Sequence, residues 1–288
     1  MLKRFENGTY RGERALFMTK DAHIFECAFE DGESPLKESA NLEILKTEFR
    51  WKYPLWYCSN VKCNQVTFLE TARSGVWDTK DIEFIDSVID APKTFRRSVG
   101  IKLINVKMKN AQETLWNCKR VNINGVDAAG DYFGMNSEDV EINDLHLDGN
   151  YCFDGGKNIV VRNSTLNSKD SFWNCENVTV INSTIKGEYL AWNSKNLTFI
   201  NCKIISHQGL CYIKGLKMIN CELIDSDLCF EFCSDIDAEI RSVVDSIKNP
   251  ISGKIRVKGV NKLILDSNII DKDKTEILIG YNDEQVQF

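Results

Sequence analysis

Five carboxylates recur at related positions in the middle of this sequence: Glu113, Asp131, Asp154, Asp170 and Glu188. Glu113 precedes the run TLWN, and the others lie in DYFGMN, NYCFDG, KDSFWN and EYLAWN. Tyr132, Tyr151 and Tyr189 share one place in these runs, and Trp116, Trp173 and Trp192 share another. Lys93, Arg96 and Arg97 make a basic loop just upstream, and Lys169 adjoins Asp170. Rings beside carboxylates and cations are the material of a sugar-binding groove, with flat apolar platforms and charges that bond hydroxyls or uronates. Two carboxylates can also act as acid and base on a glycosidic bond, about 5–5.5 Å apart for retention and about 6.5–9.5 Å for inversion. Glu113, Asp131, Asp170 and Glu188 are therefore the candidate catalytic acids. Arg96, Arg97, Lys93, Trp116, Tyr132, Asp154, Lys169, Trp173, Tyr189 and Trp192 are the candidate substrate contacts.

Blander readings stand beside these. The acids can form a solvated, soluble face, and the tryptophans (with Trp56 and Trp77) can stack in the core or at a corner. No G-x-S-x-G is present, and no tight Asp-rich cluster with a positioned arginine. His23, His146 and His207 are scattered and no paired C-x-x-C motifs occur, so neither metal nor cofactor is expected.

Elements that could hold these side chains in line are visible in the same stretch. From Trp116 to Cys229 the chain repeats itself six times without insertion. One copy reads WNCENVTVINSTIKGEYLA from Trp173, and WNSKNLTFINCKIISHQGL follows directly from Trp192. The sixth place holds Val121, Val140, Ile159, Val178, Leu197 and Leu216, and the eighth and thirteenth are also apolar. A spacing of two puts side chains on one face of a strand. Segments such as VTVI and LTFI are β-branched or bulky, as a buried pleated surface prefers. Asn163, Asn182, Asn201 and Asn220 fill the tenth place, preceded by Asp144. Asparagine tolerates left-handed backbone and makes corners. The spacing fits neither a hexapeptide left-handed helix, a leucine-rich repeat nor a pentapeptide coil. The expectation is an all-β right-handed parallel β-helix of about 11–12 coils of 19–21 residues, with three short strands per coil. Adjacent coils would then set Asp170 and Glu188 about 5 Å apart, and Asp131 and Asp170 about 10 Å apart.

Residues 1–16 are expected to cap the helix, 17–247 to form it, and 248–288 to supply capping strands and a tail, all in one domain. The net charge of −6 over 288 residues makes no case for nucleic acid or acidic membranes. The first residues lack the apolar core of a signal peptide and no stretch approaches a membrane span. Eleven cysteines without an export signal point to reduced thiols in the cytoplasm. The register of Cys58, Cys118, Cys175 and Cys233 suggests small buried residues.

The motifs PLWYCSNV, DAPKTFRRS, NAQETLWNC, GDYFGMNS, KDSFWNCENVTV, GEYLAWNSKNLTFINC and SIKNPISGKI together resemble an uncharacterised bacterial domain family of unknown function. That resemblance covers nearly the whole chain. It implies a single-stranded, pectin-lyase-like right-handed β-helix, with a wider neighbourhood of polysaccharide lyases and hydrolases but no catalytic residues. An oligosaccharide partner is the expectation, and a non-catalytic, protein-binding scaffold the alternative. Oligomeric state is open.

Overall fold

Strands form where apolar and polar residues alternate, and they bury the apolar set. In the computed structural model, which describes residues 2–280, Glu176–Ile181 buries Val178 and Val180 while its other residues stay partly or fully exposed. The chain divides into two compact units, Met1–Gly149 and Asn150–Phe288. Both are parallel β-solenoids. Among the described residues, the coils of the first unit open with strands starting at Lys3, Lys20, Ala40, Ser59, Lys80, Val99, Lys119 and Glu138. Those of the second start at Lys157, Glu176, Lys195, Lys214, Ser234, Gly253 and Thr275. The sixth-place column stacks coil on coil, as Leu42↔Val61↔Ile82↔Ile101↔Val121↔Val140 in the first unit and Ile159↔Val178↔Leu197↔Leu216 in the second.

The coils outnumber the eleven or twelve expected, and the extra ones lie at the ends. Lys3 pairs with Ala22, so the expected N-terminal cap is itself a coil. Gly253–Ile264 and Thr275–Ile279 also stack in parallel. Residues 281–288 of the expected tail lie outside the described residues. No helix among the described residues is long and apolar enough to cross a membrane.

The asparagine column is a corner ladder. Asn182, Asn201 and Asn220 have φ of 50°, 52° and 53°. Asn220 Nδ2 donates to Asn201 Oδ1 (2.6 Å) and Asn201 Nδ2 to Asn182 Oδ1 (2.9 Å). Replacing Asn182 with leucine breaks a link and forces a branched side chain into left-handed backbone. A loss of about 1–3 kcal/mol is expected by chemical denaturation; a change within error would mean the ladder contributes nothing.

Cysteines in register do more than fill space. Cys175 N donates to Ser194 Oγ (2.9 Å), and Ser194 Oγ donates to Phe172 O (2.7 Å). One coil earlier Cys175 Sγ plays the serine's part, donating to Phe153 O (2.9 Å). Cys58, Thr79 and Ser98 form the same kind of relay in the first unit. Thiols thus stand in for hydroxyls that satisfy buried main chain. Burial pushes the Cys58 and Cys118 thiols up to about 12, which keeps them protonated donors.

The third side of the coil departs from the expected strand. Among the described residues, regular strand occurs there only at Val76–Trp77 and Phe95–Arg96. From Glu113 to Phe232 it is a run of turns in which every second residue has positive φ, such as Asp170 (55°), Phe172 (57°) and Asn174 (53°); in earlier coils every fourth does, as at Ser34 and Glu38 or Tyr53 and Tyr57. In the later stretch the main chain still pairs between coils, alternately forwards and backwards. Asp170 N donates to Glu188 O (2.9 Å), Phe172 N to Cys152 O (2.9 Å) and Asn174 N to Trp192 O (3.0 Å). Left-handed conformation costs non-glycine residues about 1–2 kcal/mol each, and this regular inter-coil pairing offsets it.

Candidate functional site

The candidate residues all lie on this third side, divided between the two units. Lys93, Arg96, Arg97, Glu113, Trp116, Asp131 and Tyr132 belong to the first, and Asp154, Lys169, Asp170, Trp173, Glu188, Tyr189 and Trp192 to the second.

In the first unit the basic loop and Glu113 satisfy each other. Glu113 Oε2 lies 2.8 Å from Arg96 Nη2 and 3.1 Å from Lys93 Nζ. Arg97 holds Asp78 with two bonds (2.8 and 2.7 Å). The Arg96 guanidinium sits between two indoles, 5.1 Å from the Trp77 ring and 4.4 Å from that of Trp116. A carboxylate gripped by two cations is committed to them rather than to a substrate, so this cluster reads as a braced wall. One coil on, Asp131 N donates to Gln112 Oε1 (3.3 Å).

The tryptophan column serves both core and surface. Each ring is half-buried, and its N–H is tied to main chain sixteen residues on. Trp116 Nε1 donates to Tyr132 O (2.7 Å), Trp173 Nε1 to Tyr189 O (2.7 Å) and Trp192 Nε1 to Gln208 O (2.8 Å). In the second unit Trp173, Trp192, Tyr212 and Phe232 form one row, with centroids 5.8, 5.3 and 5.4 Å apart; the two indoles are 12° from parallel and the later rings are tilted by 57° and 43°. Beside them Asn193 Nδ2 donates to Asn174 Oδ1 (2.8 Å), and Asn174 Nδ2 to Asp154 Oδ1 (3.0 Å).

The acids of this unit occupy different columns. Asp170 shares its column with Tyr151 and Tyr189, whereas Glu188 stacks on Lys169, as the bonds from Tyr151 N to Lys169 O and from Asp170 N to Glu188 O require. Glu188 pairs with Lys169 Nζ at 3.6 Å, and that ammonium lies 5.3 Å from the Tyr189 ring centre. Asp170 is 3% exposed, and its Oδ1 is buried without a hydrogen-bond partner. Burial raises its carboxyl above the usual range; Lys169 opposes the rise, while Glu188 and Asp154 add to it.

Sequence reasoning missed His207. Its ring lies 6.2 Å from Tyr189, and its Nδ1 is 2.5 Å from Asp227 Oδ1, out of line for a full hydrogen bond. The signal was hidden because this coil is slightly longer than its neighbours, which carries Asp227 past the register of the regular repeat. Glu231, 6% exposed, was also missed; it is held by Lys248 (2.8 Å) and Gln208 (3.2 Å).

A buried carboxyl whose pKa is raised on folding binds its proton more tightly in the folded state. Its contribution to stability therefore grows as pH falls through the raised pKa and shrinks as pH rises. Asp170→Asn is expected to raise the melting temperature at pH 7 by zero to about 3 °C, and to flatten that pH dependence. Thermal melts between pH 4 and 7 check this. A fall of several degrees at pH 7 would assign Asp170 to structure.

A family model described as a protein of unknown function (DUF3737) matches residues 3–278. No curated protein matches the sequence. Among solved structures, the chain is similar to HetL, a pentapeptide repeat protein involved in heterocyst differentiation regulation in the cyanobacterium Nostoc. That likeness has 12% identity over 81% of this chain and 92% of that one, with a TM-score of 0.32. PfbA, a surface adhesin of Streptococcus pneumoniae, gives 10% identity over 82% and 71%, with a TM-score of 0.38. The A-module of the mannuronan C-5 epimerase AlgE4 of Azotobacter vinelandii gives 10% over 96% and 86%, with a TM-score of 0.31. At these scores the likenesses carry no argument about activity.

Proposed function

Because the chain belongs to the DUF3737 family of proteins of unknown function, we propose a function from its own surface: it binds an oligosaccharide along the third side of the second unit. The observation that carries this reading is the ring row Trp173, Trp192, Tyr212 and Phe232 beside the row Asp154, Asn174 and Asn193. Trp173 and Trp192 are held by mutual stacking and by their tied N–H groups, so little side-chain entropy is lost on binding. Neighbouring amides and carboxylates bond hydroxyls. Both rows repeat once per coil, which suits a ligand that is itself a chain. A reducing compartment such as the cytoplasm belongs to the same reading, and eleven buried, unpaired thiols support it.

Oligosaccharides arrayed on a surface, followed by thermal-shift titration of the hits, test it. Binding is expected, with a loss of tenfold or more on Trp192→Ala. A broad array without a hit would sink the reading and favour a protein-binding scaffold. That second reading draws on Thr275–Ile279, the last described strand, where Leu278 and Ile279 are 41% and 55% exposed.

A further inference from the structure

Charge on the third side of the second unit is unbalanced. In the described ion pairs there, Asp154, Asp170, Glu188, Asp227 and Glu231 stand against two lysines, Lys169 and Lys248, and one histidine, His207 beside Asp227. Each lysine is already engaged, Lys169 with Glu188 and Lys248 with Glu231. A uronate, which the sequence admitted as a ligand, would add another negative charge to this surplus and be repelled.

Asp170 points to the opposite choice. Its column runs Tyr151, Asp170, Tyr189, so a short side chain lies between two long aromatic ones. Its carboxyl is 3% exposed, with an oxygen that no group of the protein bonds. Such orphaned oxygens are rare, because each costs about 1–3 kcal/mol. Aromatic walls around a carboxylate are the chemistry that receives an ammonium ion. The protein already uses that chemistry one step away, where the Lys169 ammonium rests on Tyr189 and Glu188.

We infer that Asp170, between Tyr151 and Tyr189, receives a ligand ammonium group, so that the bound sugar carries free amines, as an oligomer of glucosamine does. The inference rests on the oligosaccharide reading above and narrows it to one class of sugar. The charges of Glu188 and Asp154 act on Asp170 from nearby and add attraction; Lys169 opposes it.

Calorimetric titration of the full chain with a glucosamine tetramer and with its fully N-acetylated counterpart, at pH 6, tests the inference. The free-amine tetramer is expected to bind at least tenfold more tightly, and Asp170→Asn to abolish that preference without lowering the melting temperature. The preference should also fade as pH drops and Asp170 takes up its proton. Equal affinity for the two tetramers, or a preference unchanged in Asp170→Asn, overturns the amine assignment while leaving oligosaccharide binding standing. Binding of neutral glycans only, with neither tetramer bound, does the same. Failure of every glycan overturns the parent reading as well.

Discussion

Gly187→Ala is expected to destabilise the protein by about 3 kcal/mol or more, well beyond the usual cost of alanine for glycine. Gly187 has φ of 156°, and a Cβ there would lie 2.1 Å from Ser168 O, 2.4 Å from Ser168 C and 2.7 Å from Lys169 N. All three are main-chain atoms of the preceding coil, which cannot swing aside as a side-chain tip would. Two effects add: backbone strain of about 1–3 kcal/mol and displacement of a packed neighbour costing about as much. Gly12 separates them. Its φ is 86°, yet nothing lies within 4 Å of its Cβ position, so Gly12→Ala carries strain alone, about 1 kcal/mol. Urea unfolding of both variants decides the matter. Equal losses would show that close approach at Gly187 has no cost. Because Ser168 leads directly into Lys169 and Asp170, Gly187→Ala is also expected to weaken sugar binding at least tenfold.

Phe49→Ala should cost about 4–5 kcal/mol. Phe49 is wholly buried in the first unit, stacked on Phe29 at 4.8 Å with rings 3° from parallel, and edge-on to Phe68 at 5.0 Å. Truncating a buried phenylalanine costs about 3–5 kcal/mol, and the loss of two ring pairs puts Phe49 in the upper part of that range. Neighbouring coils are held at strand spacing by their hydrogen bonds, so they have little room to collapse into the void. Phe49→Leu should recover most of the loss. An alanine cost below about 2 kcal/mol, under the range for a cavity that stays open, would mean the coils do close up.

The interior of the solenoid was legible because stacking demands like residues in like places. Val178, Leu197 and Leu216 answer one another, and Asn201 can bond its neighbour only if that place keeps a short side chain with an acceptor oxygen, as Asn182 does. The ends were not, because their coils change length. Ile236 pairs with Gly253 across a coil shorter than the regular repeat, and Gly253 with Thr275 across a longer one, so no fixed period runs through them. The third side was misread for another reason. Its left-handed positions hold Phe172, Ala191 and Tyr189 as well as Asn174 and Asp170, so residue type gives no sign of the backbone. Its conformation is imposed by the coils above and below. For the site, the acids and rings were found by composition. Their columns were not, and the difference separates Asp170, buried between tyrosines, from Glu188, exposed beside Lys169.

The tied and stacked indoles also give each unit an optical signature. Trp56 and Trp77 lie 5.0 Å apart and 8° from parallel in the first unit, Trp173 and Trp192 5.8 Å apart and 12° from parallel in the second. Chromophores so close and so fixed share their excited states, and the shared transition appears as a paired feature in near-ultraviolet circular dichroism. The feature weakens steeply as the rings move apart. Replacing Trp77 or Trp192 with phenylalanine would silence one unit and leave the other readable. The chain thus carries two built-in gauges of coil spacing, and loosening of either unit can be followed by light alone, without a label.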